Sequence, residues 1–180
     1  LTTTPPFFNQ LFSGRDPAAV AADFIASHLN NSMYTYKAAG ALIMAERQLL
    51  DHMVEIAGFG QGEGSFTSGG SLSTLLAIAL ARNEAVARYG RGASLAIYTS
   101  SENHYSIPKA AVLLGLGRES VRSIETDARG RMRVAALAEA ITRDRALGLT
   151  PMMINATAAT TVMGAFDPIA EIAALGREQG

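Results

Sequence analysis

The stretch Leu95-Ala96-Ile97-Tyr98-Thr99 is a short apolar run between two segments of helical periodicity, and it predicts a buried β-strand. Two similar runs follow at residues 120–124 and 152–156. Helical patterns follow the three runs, at residues 107–114, 134–147 and 168–177. Because strands that alternate with helices form βαβ units, their sheet is parallel and is covered by helices on both faces. The sequence therefore predicts an α/β protein with three α/β/α layers.

The amino-terminal third of the chain is predicted to be an irregular, extended arm over residues 1–15, followed by helices. Asp16-Pro17 combines a favoured N-cap with proline at the first helical position, and it predicts a helix to about His28. A second helix is predicted over residues 41–57. We divide the chain into an arm with helices, residues 1–60, and the first part of an α/β domain, residues 61–180. The side chains expected to be buried on the first helix are Val20, Phe24, Ile25 and Leu29.

Three strands are few for an α/β domain. Sheets commonly contain about 4–6 strands, and an unpaired parallel edge exposes apolar side chains. The chain also begins at Leu1 rather than at methionine, and it stops at Gly180 directly after a helical pattern. We therefore expect the chain to be a piece of a longer protein.

The composition argues against several classes of function. A content of 48% hydrophobic and 17% charged residues is that of an ordinary soluble globular protein, and a net charge of −1 argues against a nucleic-acid-binding surface. The chain has no cysteine, which excludes disulfides, thiolate zinc sites and cysteine nucleophiles. This absence suits a reducing compartment, so we expect a cytoplasmic protein. No apolar run approaches the about 18–20 residues of a membrane span.

The most informative loop spans residues 64–71, directly before a helical run at residues 72–89. It contains the adjacent glycines Gly69 and Gly70, flanked by hydroxyl residues. The first turn of a helix has unpaired N–H groups and the positive end of the helix dipole, which makes the loop a candidate phosphate site. It lacks the lysine of a Walker loop and the G-x-G-x-x-G spacing of dinucleotide folds. From the residues alone, a flexible turn capped by Ser71 explains the loop equally well.

Two polar segments directly follow predicted strands. His104 lies in residues 100–106, and Thr157 begins the hydroxyl-rich residues 157–161. Open α/β sheets bind ligands at the carboxyl ends of their strands. An imidazole there can stack on a flat ring or exchange protons, and a hydroxyl can meet a polar ligand. The structural alternatives are a loop histidine bonded to its neighbours and a threonine that caps the next turn.

The remaining polar residues have structural explanations. His28 and His52 fall within amphipathic helices, and Asp167, before a proline, is predicted to be a helix N-cap. Lys37 and Lys109 are the only lysines, and Lys109 is expected to be solvated. The acidic residues lack metal-ligand spacing, so no metal site is predicted.

Taken in order, these segments resemble the pyridoxal-phosphate-dependent group II decarboxylases, and in particular their glutamate and cysteine-sulfinate decarboxylase branch. The resemblance covers essentially the whole chain, and it is specific because five segments are in register. These segments are F-F-N-Q-L at residues 7–11 with residues 13–16, T-Y at 35–36, F-T-S-G-G-S at 66–71, residues 101–117 around H-Y-S, and residues 155–168.

The resemblance implies a fold type I large domain, as in transferases that use pyridoxal phosphate, incomplete in this chain and preceded by a helical arm. Gly70 and Ser71 would bind the phosphate of pyridoxal 5'-phosphate. His104, the implied catalytic residue, would stack on the pyridine ring, and Thr157 would contact the polar edge of that ring. Family members are homodimers, and their substrate is a small molecule, an amino acid. The residues implied to lie near the substrate are Gln10, Leu11 and Phe12.

The resemblance also shows what this chain does not contain. Family members hold the cofactor through a lysine in a P-H-K segment, and an acid in an H-V-D-A segment keeps the pyridine nitrogen protonated. Neither segment occurs here. Thr74 replaces the usual asparagine, Ala159 replaces a glycine, and residues 37–40 replace a run that usually begins with an acid.

The function implied is that of a carboxy-lyase that acts on an acidic amino acid such as glutamate, aspartate or cysteine sulfinate, with this chain as its amino-terminal part. Two alternatives stay open. One is a truncated paralogue that binds a phosphorylated ligand or a partner chain without catalysis. The other is a decarboxylase for an aromatic amino acid or diaminobutyrate.

Overall fold

The computed structural model describes residues 14–180. The chain divides into two compact units, Leu1–Phe66 and Thr67–Gly180. The described part of the first unit is helical and contains α1 (Pro17–Leu29), α2 (Tyr36–Ala39) and α3 (Ala41–Ile56).

The start of α1 confirms the cap predicted from the sequence. Asp16 Oδ1 accepts the backbone N–H of Ala19 at 2.9 Å, and Pro17 occupies the first helical position. Asn30 ends the helix in the left-handed conformation, and its N–H donates to the carbonyl of Ala26. Local capping chemistry therefore sets both ends of this helix.

The predicted burial of the apolar side of α1 is wrong. The exposed fractions are 36% for Val20, 74% for Phe24, 61% for Ile25 and 54% for Leu29. Helical spacing predicts which side of a helix is apolar but not which surface covers it. The described part of the chain leaves this side of α1 largely exposed.

The second unit is built on a parallel sheet, as predicted. Its strands β1 (Leu95–Ser100), β2 (Val121–Ile124) and β3 (Thr150–Asn155) lie in the order β2-β1-β3. Ile97 pairs with Val121 on one side, and Leu95 pairs with Thr150 on the other. The helices of this unit are α4 (Gly70–Tyr89), α5 (Ser106–Leu113), α6 (Val134–Ala146) and α7 (Ile169–Gln179), with a 3-10 turn at Arg118–Ser120.

Helices cover both faces of the sheet, which confirms the three-layer prediction. The central strand β1 alternates its side chains between the two faces. Tyr98 packs in a cluster with residues of α6 and α7, such as Leu137 and Ile172. Ile97 packs in a second cluster with Ile78 of α4 and Ile107 of α5. All six residues of β1 are buried, whereas all six residues of β3, at one edge, are only half-buried.

A buried polar group lies within the first of these clusters. The hydroxyl of Tyr98 donates to Asp144 Oδ2 at 3.2 Å, and Nε of Arg122 donates to the same oxygen at 2.6 Å. Burial, and next the Asp144 carboxylate, raise the pKa of Tyr98 above its usual value. Each buried polar atom in this trio therefore has a partner, which the interior of a protein requires.

The described helices include none that combines the length and the apolar character needed to cross a membrane.

Candidate functional site

The amino terminus of α4 has the features of a candidate anion site. Gly69 is its N-cap, with φ of 153°, a conformation that favours glycine, and no side chain caps the helix. The amides of Leu72 and Ser73 donate back to the Gly69 carbonyl. Among the described residues, the amides of Gly70 and Ser71 have no acceptor. Two free N–H groups thus lie at the positive end of a 20-residue helix.

Ser71 is not the cap that the structural alternative required. It lies inside the first turn of α4, and its side chain is exposed. A Cβ atom added at Gly69 or Gly70 would meet nothing within 4 Å, so the space over this turn is open. The loop therefore leaves room for a ligand where a capped turn would place a side chain.

Two hydroxyl residues that sequence reasoning missed shape this loop. Thr67 Oγ1 lies 2.7 Å from Ser73 Oγ and 3.1 Å from the Gly69 carbonyl oxygen. Thr67 Oγ1 also accepts the N–H of Gly69 at 3.4 Å. Thr67 thus ties the residues before the helix to its first turn. The available signal was the presence of hydroxyl residues on both sides of the glycine pair.

A buried serine connects α4 to the loop that carries His104. The hydroxyl of Ser106 donates to Thr74 Oγ1 at 3.3 Å, and its backbone N–H donates to Nδ1 of His104 at 3.2 Å. Nδ1 is therefore an acceptor, which places the proton of the neutral ring on Nε2. The ring is half-buried, and its centroid lies 4.1 Å from that of Tyr105. The hydrogen bond to a neighbouring residue that the structural alternative predicts is present, but it occupies only Nδ1 and leaves Nε2 without a partner among the described residues.

Thr157 is held from two directions at the carboxyl end of β3. Its backbone N–H donates to Asp167 Oδ2 at 2.8 Å. Its side-chain oxygen accepts from Nδ2 of Asn155 at 3.4 Å, and the same nitrogen donates to Thr99 Oγ1 at 3.1 Å. Thr157 is therefore joined to β1, the central strand, through Asn155.

The predicted N-cap role of Asp167 is wrong, although its role is structural. The residue before α7 is Pro168, and no side chain caps this helix. The buried Asp167 carboxylate instead accepts the N–H groups of Met132 at 2.7 Å and of Thr157 at 2.8 Å. The carboxylate thus binds two loops at the carboxyl edge of the sheet and does not cap α7. This is because a buried N–H without a partner costs more free energy than an uncapped helix end that water can reach.

Ala159, which replaces a glycine of the family, lies in a turn conformation that suits glycine. Its φ is 67°, in the left-handed region that side chains with a Cβ atom disfavour. The turn is closed by Thr160, whose hydroxyl accepts the N–H of Ala165 and whose carbonyl accepts that of Gly164. The fold of the loop imposes this strained conformation on Ala159.

The candidate ligand residues of the second unit lie at the start of a helix and after two strands of the sheet. Gly70 and Ser71 begin α4, His104 follows β1, and Thr157 follows β3. Hydrogen-bonded side chains link the first pair to the loop of His104, and link Thr157 to β1. Within residues 14–180, no hydrogen bond joins His104 directly to Thr157. The remaining sequence-predicted site residues, which fall outside the described residues, are Gln10, Leu11 and Phe12.

Other candidate side chains lie elsewhere. Lys109 is exposed, with Nζ 4.2 Å from the centroid of the Tyr105 ring. His52 is exposed on α3, 3.8 Å from a carboxylate oxygen of Glu55. In the part of the chain that the structure describes, no group of three or more histidine or acidic side chains could hold a metal ion.

Comparison with known proteins is consistent with this arrangement. Acidic amino acid decarboxylase GADL1 of Xenopus tropicalis is 42% identical in an alignment of 177 positions, which covers 96% of this chain and 35% of that protein. Cysteine sulfinic acid decarboxylase of Homo sapiens is 43% identical in an alignment of 187 positions, which covers 99% of this chain and 37% of that protein. The chain thus spans about a third of the length of the curated relatives that it matches.

A solved structure has the same fold. The crystal structure of mouse CSAD superposes with a TM-score of 0.93 at 42% identity, covering 99% of this chain and 39% of that one. The family described as "Pyridoxal-dependent decarboxylase conserved domain" matches residues 1–180. With this match over the whole chain, and with relatives above 40% identity, the chain belongs to the pyridoxal-dependent decarboxylase family.

Proposed function

We propose that this chain is the amino-terminal part of an enzyme that uses pyridoxal 5'-phosphate to decarboxylate an acidic amino acid, such as glutamate, aspartate or cysteine sulfinate. The observation that carries the proposal is the free anion-binding turn at the start of α4, which lies in the same unit as the strand-end residues His104 and Thr157. Membership of the family and the printed activities of the two relatives support the choice of reaction and substrate class.

The residues present fit the phosphate of this cofactor. The amides of Gly70 and Ser71 have no acceptor among the described residues, and a Cβ atom added at Gly70 would meet nothing within 4 Å. The Ser71 hydroxyl is exposed at the same turn and supplies a third donor. A dianionic phosphate needs several donors and a favourable dipole, and this turn offers both.

His104 and Thr157 would bind the ring of the cofactor. With Nδ1 occupied by Ser106, His104 keeps a fixed tautomer, so that its ring can lie against a flat ligand while its Nε2–H donates a hydrogen bond. The Thr157 hydroxyl would meet a polar atom at the edge of the ring. When bound, pyridoxal phosphate supplies an electron sink for the electron pair left by the departing carboxylate. The lysine and the acid that complete the site would come from other parts of the whole protein.

Substrate contact, assembly and location are further parts of the proposal. Gln10, Leu11 and Phe12 would lie near the substrate. The exposed apolar side of α1, with Phe24 and Ile25, supports a homodimer, because a second subunit could cover it. The absence of cysteine supports a cytoplasmic location.

The test uses the full-length protein that contains this chain. Purified protein is titrated with pyridoxal phosphate, and CO₂ release is then measured on a panel of acidic, aromatic and basic amino acids. We expect a cofactor absorption band and a preference for an acidic substrate. A preference for an aromatic amino acid or diaminobutyrate would refute the substrate class, and cofactor binding without CO₂ release from any substrate would favour a non-catalytic paralogue.

A further inference from the structure

Asn155, the last residue of β3, bridges two hydroxyl groups with one nitrogen. Its Nδ2 lies 3.1 Å from Thr99 Oγ1 and 3.4 Å from Thr157 Oγ1. A carboxamide nitrogen carries two hydrogens and accepts none, so each hydroxyl oxygen receives one of them. The bridge therefore fixes both hydroxyl oxygens as acceptors.

The Thr99 end of this bridge is rigid. Thr99 is 0% exposed on the central strand β1, which is paired on both sides. The Thr157 backbone is fixed independently, because its N–H donates to the buried Asp167 carboxylate. Only the rotation of the Thr157 hydroxyl stays free, and Asn155 occupies one of its lone pairs.

The consequence concerns the direction of one proton. A hydroxyl that accepts a hydrogen bond on one side presents its own hydrogen on another. Among the described residues, Thr157 Oγ1 has no partner other than Asn155. The hydroxyl hydrogen is thus available at the carboxyl edge of the sheet, where ligands bind in open α/β folds.

We propose that Asn155 is a positioning residue, which holds Thr157 Oγ1 as an acceptor so that the Thr157 hydroxyl donates a hydrogen bond to an oxygen on the ligand ring. This inference rests on the proposed function, since pyridoxal phosphate has such a ring oxygen. A donated hydrogen bond stabilises the ionised form of that oxygen. Asn155 therefore acts on the ligand only through Thr157.

A double-mutant cycle in the full-length protein tests the inference. The variants are Asn155→Leu, which keeps the branched shape, Thr157→Val, and the two together. The probe is pyridoxal phosphate titrated into apoprotein. We expect each single change to weaken its binding about tenfold, as for the loss of one strong hydrogen bond. We expect the double variant to be within about twofold of either single variant, because both changes remove the same interaction.

The absorption of the bound cofactor gives a second measurement. Loss of the donor should raise the pH midpoint at which the ring oxygen ionises, by the same amount in both single variants and in the double variant. A purely structural role for Asn155 would leave this midpoint unchanged. The matched control is Thr142→Val, whose hydroxyl donates to Ala138 within the exposed side of α6, and it should change neither measurement.

The outcomes separate this inference from the proposed function. If the unchanged protein binds no pyridoxal phosphate, both are refuted. If it binds the cofactor, either of two results refutes only the positioning role of Asn155. One is that the losses of binding free energy in the two single variants add in the double variant. The other is that the pH midpoint at which the ring oxygen ionises does not move. If Asn155→Leu does not fold, Thr99→Val combined with Thr157→Val completes an equivalent cycle, because Thr99 anchors the other end of the bridge.

Discussion

Ser106 donates its hydroxyl to Thr74 Oγ1 over 3.3 Å, and this hydrogen bond ties the start of α5 to the second turn of α4. The backbone N–H of Ser106 also donates to Nδ1 of His104. One buried serine therefore links the loop of His104 to the amino-terminal half of α4, in addition to the apolar packing of α4 against α5.

We expect Thr74→Val to weaken binding of pyridoxal phosphate to the full-length apoprotein about fivefold, since one hydrogen bond contributes about 1 kcal/mol. Thr74→Ser retains the hydroxyl and should bind as the unchanged protein does. Fluorescence titration of both variants checks this. Equal affinities for the two variants would show that the link to Ser106 does not position the site.

The Asp167 carboxylate predicts a large effect on stability. It is 4% exposed, and it accepts the N–H groups of Met132 and Thr157. Asp167→Asn leaves one oxygen for two donors and turns an NH₂ group toward the other, which should lower the free energy of unfolding by about 2–3 kcal/mol. Urea denaturation measures this loss.

The control for this stability effect is Asp23→Asn on the exposed side of α1. Its carboxylate lies in an exposed helical position, and we expect a change within about 0.5 kcal/mol. If both variants lose equal stability, the two loops do not depend on the buried carboxylate.

Local signals were sufficient to predict the order of the strands and of the longer helices, but not the four-residue helix α2. The apolar run at residues 95–99 lies within β1 as Leu95–Ser100, and the Asp16 cap is confirmed at the start of α1. Apolar runs and caps act over a few residues, so their physics is present in the sequence itself. The parallel pairing followed because helices separate consecutive strands.

The partners of polar side chains could not be predicted in this way. Asp167 resembles an N-cap in the sequence, but it accepts from Met132, 35 positions earlier. Asn155 ends an apolar strand, and nothing in its sequence neighbourhood indicates that it joins Thr99 to Thr157. Such contacts depend on which loops the fold brings together at the carboxyl edge of the sheet.

Asp127 predicts a dependence of stability on pH. Hydrogen bonds from Arg131, first from its side chain and then from its backbone, lower the pKa of Asp127 from 3.8 to about 2. Because the pKa is lower in the folded state, the ionised carboxylate stabilises the protein above pH 3.8. This contribution is lost as the pH falls from 3.8 toward 2.

Thermal unfolding of the unchanged protein and of Asp127→Asn at a series of pH values tests this expectation. The unchanged protein should melt at a higher temperature near neutral pH, and the two melting temperatures should converge as the pH approaches 2. A difference that stays constant over the whole series would mean that Asp127 stabilises the loop without its charge.

We expect a substitution at Ala159 to increase the stability of the protein. Its φ of 67° costs a side chain with a Cβ atom about 1–2 kcal/mol, and glycine adopts this conformation freely. Because glycine also gains entropy in the unfolded state, we expect Ala159→Gly to raise the free energy of unfolding by a net of about 0.5–1 kcal/mol. Ala128→Gly, in an exposed loop without a positive φ, should instead lower it by about 0.4–1 kcal/mol. Urea denaturation measures the change in the free energy of unfolding of both variants. A loss of stability in both would show that the turn at Ala159 is unstrained.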